Sequence, residues 1–169
     1  MNYTGVIRRV DELGRIVIPV EIRRLLNIKE GENLEFIIKD KCIELKKKSL
    51  IEENFSFFTL ISEQLDAIVE GKFIITDREK VFSSNNREIL NKKIDNKIIN
   101  LLQKNESSKL ESVDLYFDNE LINSTFYIYP YSFENDIGGF IILYDIKKID
   151  EYNKLIKFLI NYIHSKFSL

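Results

Sequence analysis

The sequence predicts an α+β protein in two parts, residues 1–50 and residues 51–169, and three observations carry that prediction. An opening segment sets short β-branched runs around a single amphipathic helix. A lysine-rich junction, Lys46, Lys47, Lys48 and Ser49, closes it. Beyond the junction come a long helical stretch, several strand-like runs and a closing helix, the pattern of a sheet flanked by helices.

In the first part GVIRRV (residues 5–10) and RIVI (residues 15–18) read as strands, and the DELG between them makes a turn in which Gly14 supplies positive φ. Pro19 suits the first position of a helix, where a missing N–H costs nothing, and Glu21 complements the helix dipole. Ile22, Leu25 and Leu26 give that helix one apolar face, and Asn27 ends it. After the turn KEGE, Leu34, Phe36 and Ile38 alternate with Glu35, Ile37 and Lys39, and Ile43 and Leu45 alternate with Cys42, Glu44 and Lys46. That is a hairpin bent at Asp40 and Lys41, without an Asn-Gly signal to fix the turn type.

Size then becomes an argument about assembly. A segment of about 50 residues with neither disulfide nor metal is marginal as a lone fold. The consecutive Ile16, Val17 and Ile18 also require burial on both faces of a strand, for which one such segment has too little material. An obligate homodimer with packed or interleaved strands is expected.

In the second part Leu50 to Glu70 reads as one long helix, with Ile51, Phe58, Ile61, Leu65 and Ile68 on one seam and Phe55, Phe57 and Leu60 widening it. Strands KFIITD and VFSS follow, then a polar helical middle from Asn85 to Gln103. SVDLYF, INSTFYIYPYSF and GGFIILYD are further strands, Pro130 favouring an edge position. A helix from Ile149 to Phe167 closes the chain, its seam formed by Ile149, Tyr152, Ile156, Leu159 and Ile163.

Composition narrows the function. With 44% hydrophobic and 31% charged residues the chain has the make-up of a folded globular protein. No apolar run is long enough for a membrane span, and MNYTGVIRRV has no signal-peptide pattern, so a cytoplasmic protein is expected. Cys42 is the only cysteine, which rules out an intrachain disulfide, and one Cys with one His builds no Cys/His zinc site within a chain. Phosphate-loop, zincin, nucleophile-elbow and dinucleotide motifs are missing, so no enzyme, cofactor or metal is expected.

The acidic pI of about 5.6 conceals a division along the chain. Residues 1 to 48 hold 11 basic and 8 acidic side chains, net +3, whereas residues 49 to 169 hold 14 and 19, net −5. Only the part that touches a polyanion needs a basic face. The candidates are Arg8, Arg9, Arg15, Arg23 and Arg24, since a planar, permanently charged fork suits phosphate and guanine edges. Charge counting alone leaves a second reading open, a solvated face paired with Asp11, Glu12 and Glu21.

The string TGVIRRVDELGRIVIPVEIRRLLNIKEGENLEF, continuing to IELKKKS, resembles the swapped-hairpin DNA-binding domain of the AbrB/SpoVT family of transition-state and sporulation regulators. The likeness covers residues 3 to 48, and its IRR, DELGR, VIP and EIRR blocks are specific in content and spacing. It implies two chains exchanging hairpins into a barrel-like dimer that binds double-stranded DNA, with Arg8, Arg15, Arg23 and Arg24 at the DNA and Arg9 as a basic flank. The family also includes antitoxins, in which a disordered tail follows this domain. The periodic second part fits a tail poorly.

The order of elements in residues 51–169 resembles the GAF-like domain of the sporulation branch of that family. This implies a homotetramer in which the linking helices, through Ile51, Phe58, Ile61, Leu65 and Ile68, join two DNA-binding dimers. Regulation of sporulation genes is the expected function, with a ligand-sensing or antitoxin-like binding module as the competing one. Phe73, Phe82, Phe126, Tyr127 and Phe140 either line a pocket for a small-molecule ligand or fill the core, the commoner fate. His164 reads as a surface or interface residue, Cys42 as facing outward or toward a partner, and Gly138 with Gly139 as a tight start to a strand.

Overall fold

Contacts within the chain divide it into two units, Met1–Lys48 and Ser49–Leu169. The computed structural model describes residues 5–26, 28, 30, 34–47, 50–103, 106–133 and 136–167. Asn27 as the helix end, most of the KEGE turn and the Lys48–Ser49 junction lie outside the described residues.

In the first unit a helix, α1, spans Val20–Leu25. Pro19 sits one place earlier than expected, as the N-cap with φ −58° and ψ 146°, and its carbonyl accepts from the Arg23 amide at 2.9 Å. Strands β1 (Leu34–Lys39) and β2 (Cys42–Lys47) form the expected antiparallel hairpin. Lys39 faces Cys42 across a two-residue bend in which Asp40 adopts a positive φ of 51°, a conformation Asp tolerates better than most residues.

GVIRRV and RIVI differ from expectation, because neither forms a strand in the chain. They flank a turn in which the Gly14 amide donates to the Asp11 carbonyl and the Asp11 amide to the Arg15 carbonyl, each at 3.0 Å, with Gly14 at φ +77°. A strand needs a ladder of main-chain partners and cover for its apolar side chains. A single chain offers neither, and Ile7 and Val17 stand 86% and 73% exposed. The hairpin has the same property. Its cross-strand pairs Phe36–Leu45 and Ile38–Ile43 share one face, and all four side chains are exposed.

The second unit is built on a five-stranded antiparallel sheet. Its strands are β3 (Lys72–Thr76), β4 (Val81–Ser84), β5 (Ser108–Phe117), β6 (Glu120–Phe133) and β7 (Asp136–Tyr144), in the order β4-β3-β7-β6-β5. Strand alternation sends Phe73, Ile75, Tyr129, Tyr131, Ile141 and Leu143 to one face and Ile74, Phe126, Ile128, Phe140 and Ile142 to the other. Helices α3 (Phe55–Ile68) and α5 (Ile149–Phe167) cover the first face, where Tyr152, Ile156 and Ile163 are buried as the closing seam anticipated. The Glu70 amide donates to the Tyr152 hydroxyl at 2.9 Å, tying the end of α3 to the start of α5.

The segment after β4 covers the second face, but not as one helix. It breaks into 3₁₀ turns at Arg87–Ile89 and Asn100–Gln103 and a short helix, α4 (Asn96–Ile99). Asn86 and Asp95 each accept from a backbone amide two residues on, starting a new turn, and Asn91 takes φ +61°. Ile89, Ile94 and Ile98 are buried at steps of five and four, which no single helical stripe supplies.

The expected helix from Leu50 to Glu70 also divides, into α2 (Leu50–Glu53) and α3, at Asn54 with φ −115° and ψ 35°. Asn is a poor interior helix former because its side chain competes with the backbone. The seam expected to join dimers is corrected with it. Ile51, Phe58, Ile61 and Leu65 are buried in the unit's own core against Phe73, Ile75 and Tyr131, and only Ile68 stays exposed.

The aromatic set divides in the same way. Phe73, Phe82 and Tyr127 belong to the helix-covered face, and Phe126 and Phe140 to the opposite one, so these side chains do not line one cavity. Pro130 lies in an interior strand, yet where β6 runs past Ser108, the first residue of β5, so a missing N–H breaks no ladder bond on that side. Gly139 is required in β7, since a Cβ there would collide with the Thr76 carbonyl and the Tyr131 hydroxyl. Among the described residues no helix is long and apolar enough to cross a membrane.

Candidate nucleic-acid interface

The five candidate arginines all fall in the first unit, and all are exposed. Arg8 and Arg9 lie in the segment before the turn, Arg15 closes the turn, and Arg23 and Arg24 occupy the last turn of α1. That last position is favourable for cations, because the final carbonyls of a helix carry partial negative charge. The Arg23 carbonyl accepts from the Ile28 amide at 2.7 Å, which fixes the chain beyond the helix end.

The turn is organised by Asp11. One carboxylate oxygen accepts from the Leu13 amide at 3.0 Å and the Arg15 amide at 2.8 Å, and the other accepts from Arg15 Nε at 2.7 Å. The Arg15 amide, with the Arg15 side chain and the Leu13 amide behind it, holds the Asp11 carboxyl below its usual range. Arg8 turns one guanidinium nitrogen to its own neighbour, the Ile7 carbonyl, at 3.0 Å. Among the described residues no ion pair joins Glu12 or Glu21 to an arginine, so the solvated-pair reading holds for Asp11 with Arg15 alone.

The remaining residues singled out from the sequence contribute little here. Cys42 is exposed beside the hairpin bend, His164 is exposed on α5, and the described residues hold no cluster of His, Cys, Asp and Glu fit for a metal ion. Sequence reading missed the role of Asp11, although the spacing of an acid four residues before an arginine around a glycine turn was a usable signal. It also missed the exposed apolar Leu60, Phe158 and Tyr162 of the helical layer, because each helix alone shows only that it is amphipathic.

The profile of the family described as Antidote-toxin recognition MazE, bacterial antitoxin, matches residues 7–52. The chain is 40% identical over 116 residues to Stage V sporulation protein T of Bacillus subtilis, covering 66% of this chain and 65% of that protein. It is 55% identical over 47 residues to the Transition state regulatory protein AbrB of the same organism, covering 28% of this chain and 49% of the relative. The chain resembles the AbrB/SpoVT regulators over about two thirds of its length. Its AbrB-type domain is the first unit, which holds every candidate arginine, and a further sheet-rich domain follows it. The chain spans a little under two thirds of the sporulation relative and about half of the transition-state one.

Proposed function

We propose that the chain is a sequence-specific, double-stranded-DNA-binding transcription regulator of sporulation genes, cytoplasmic and active as a homodimer or homotetramer. The observation that carries this reading is the coincidence, in one unit, of five exposed arginines with a net charge of +3 and with apolar faces left uncovered. Phe36, Ile38, Ile43 and Leu45 on the hairpin, with Ile7 and Val17 beside the turn, give a second chain the surface that an exchanged hairpin would bury. Two-fold pairing then doubles the arginines on one molecule, as a duplex with two-fold related half-sites requires.

The second unit acts as a GAF-like regulatory and assembly domain, a reading supported by its five-stranded antiparallel sheet with two helices on one face. Because the seam of α3 is used internally, the surface that joins dimers into a tetramer is the outward side of the helical layer, Leu60 with Phe158 and Tyr162.

A salt titration of binding to a random duplex tests the reading. Binding that weakens steeply with salt supports it, and no binding at low salt overturns it. The second reading, a toxin-neutralising module, draws on the description of the matched family. It predicts a protein partner and a duplex affinity that Arg15→Ala and Arg23→Ala leave unchanged.

A further inference from the structure

The Asp11–Arg15 pair is built more completely than an exposed ion pair needs to be. Three hydrogen bonds reach the two carboxylate oxygens, and the carbonyl of each residue accepts a further amide of the turn. The grip uses the Nε edge of Arg15, and the end of the fork, Nη1 and Nη2, has no described partner on a side chain 71% exposed. Two consequences follow. The guanidinium is held in one direction, and its charge is largely cancelled by the carboxylate beside it.

An arginine neutralised in this way gains little from the diffuse attraction to phosphates, which scales with net charge. It keeps its directional donors, which a pair of acceptors on a base edge rewards and a rotating phosphate does not. We propose that Asp11 is a specificity-determining residue, whose carboxylate aims Arg15 end-on at the O6/N7 edge of a guanine in the major groove. This rests on the DNA-binding reading above and deepens it.

Asn at position 11 separates the two tasks of the carboxylate. Its amide oxygen still accepts from the Leu13 and Arg15 amides, so the turn persists, while its NH2 meets Nε donor to donor and the grip is lost. The probes are a random duplex pool and the duplex enriched from that pool by the wild-type chain, both bound to the full-length protein at one salt concentration. Asp11→Asn is expected to lose about tenfold on the enriched duplex. On the random pool it holds or gains affinity, having shed a negative charge, and the amide NMR shifts of Leu13 and Gly14 stay in place. Arg15→Lys, which keeps the charge and loses the fork, gives the same loss, and the double variant is no weaker than Arg15→Lys alone. Should Asp11→Asn disturb the turn, Arg15→Lys, with Asp11 and its amide bonds intact, carries the comparison.

An equal loss on both duplexes, an unchanged ratio, or additive losses in the double variant would overturn the proposal while leaving the DNA-binding reading in place. A wild-type chain that binds neither duplex removes both.

Discussion

The Tyr131 hydroxyl donates to the Thr76 carbonyl oxygen across 2.6 Å in the interior of the C-terminal sheet, and the backbone of Gly139 lies against both. The same threonine accepts the Phe140 amide at 3.1 Å through its hydroxyl, so three strands meet on one buried polar knot. Tyr131→Phe strips the donor from a buried carbonyl and is expected to cost about 1–3 kcal/mol. Gly139→Ala forces a methyl into the contact and costs about 1–3 kcal/mol by overpacking. Urea melts of the full chain, followed by a probe in the second unit, check both, and unchanged midpoints would show the knot to be idle.

The same phenol gives the unit an alkaline limit. Burial, with the negative charge of Asp77 behind it, pushes the Tyr131 hydroxyl well above its ordinary value. Its folded-state pKa is therefore raised, so its contribution is complete below the unfolded value of about 10 and is lost as pH climbs beyond it, when only the unfolded chain can ionise. Stability against urea should fall above pH 10 more steeply in the wild type than in Tyr131→Phe. Parallel pH profiles would exclude Tyr131 as the source.

Placing Phe58 and Leu65 in the internal core changes what their substitution does. Leu65→Ala should cost about 2–5 kcal/mol. Phe58→Asp buries an unpaired charge among Tyr131, Phe73 and Ile75 and should open residues 49–169 to protease. The opposite result, a folded, protease-resistant chain that merely drops from tetramer to dimer, would return this seam to the surface.

What the sequence made legible follows a physical line. The α5 bounds, the β1–β2 hairpin with its bend and the five strands of the second unit were readable because periodicity and turn chemistry are local, whereas GVIRRV and RIVI, read as strands by the same pattern, form none in the chain. The destination of an apolar face was not readable, since Phe58 looks the same in periodicity whether it meets Tyr131 of its own chain or a helix of another. Phe126 and Phe140 could not be separated from Phe73 before strand register was known, because parity within a strand says nothing about parity between strands. At the arginines, residue type and spacing showed the candidate set, while the carboxylate that grips Arg15 emerged only with the turn.

Each arginine should report its own contact. Arg8→Ala, Arg15→Ala, Arg23→Ala and Arg24→Ala are expected to weaken duplex binding with assembly unchanged. A phosphate-contacting side chain lowers affinity evenly on all sequences and reduces the log–log salt slope by about one, whereas a base-reading one costs about 1–3 kcal/mol and relaxes specificity. With Arg15 given to a base, phosphate contacts by Arg8, Arg23 and Arg24 on each of two chains bring the slope to about −5 per dimer at −0.9 per phosphate. Binding titrations from low to moderate salt measure it, and a flat slope would refute an electrostatic interface.

The two uncovered apolar surfaces should separate the two levels of assembly. Phe36 and Ile38 share the hairpin face that an exchanged partner would cover, so replacing both by Lys should abolish the dimer and duplex binding together. Phe158 and Tyr162 stack face to face on α5 with ring centroids 6.4 Å apart, outside the core that α5 fills with Ile156 and Ile163. Changing Phe158 to Glu and Tyr162 to Lys therefore leaves the fold of the second unit intact. Light scattering should show the tetramer falling to a dimer, and affinity for a single-site duplex should hold. Affinity for long or multi-site DNA should drop, because linked dimers raise each other's effective concentration. A tetramer that survives these changes with its multi-site affinity intact would place the assembly surface elsewhere than on the outward side of α3 and α5.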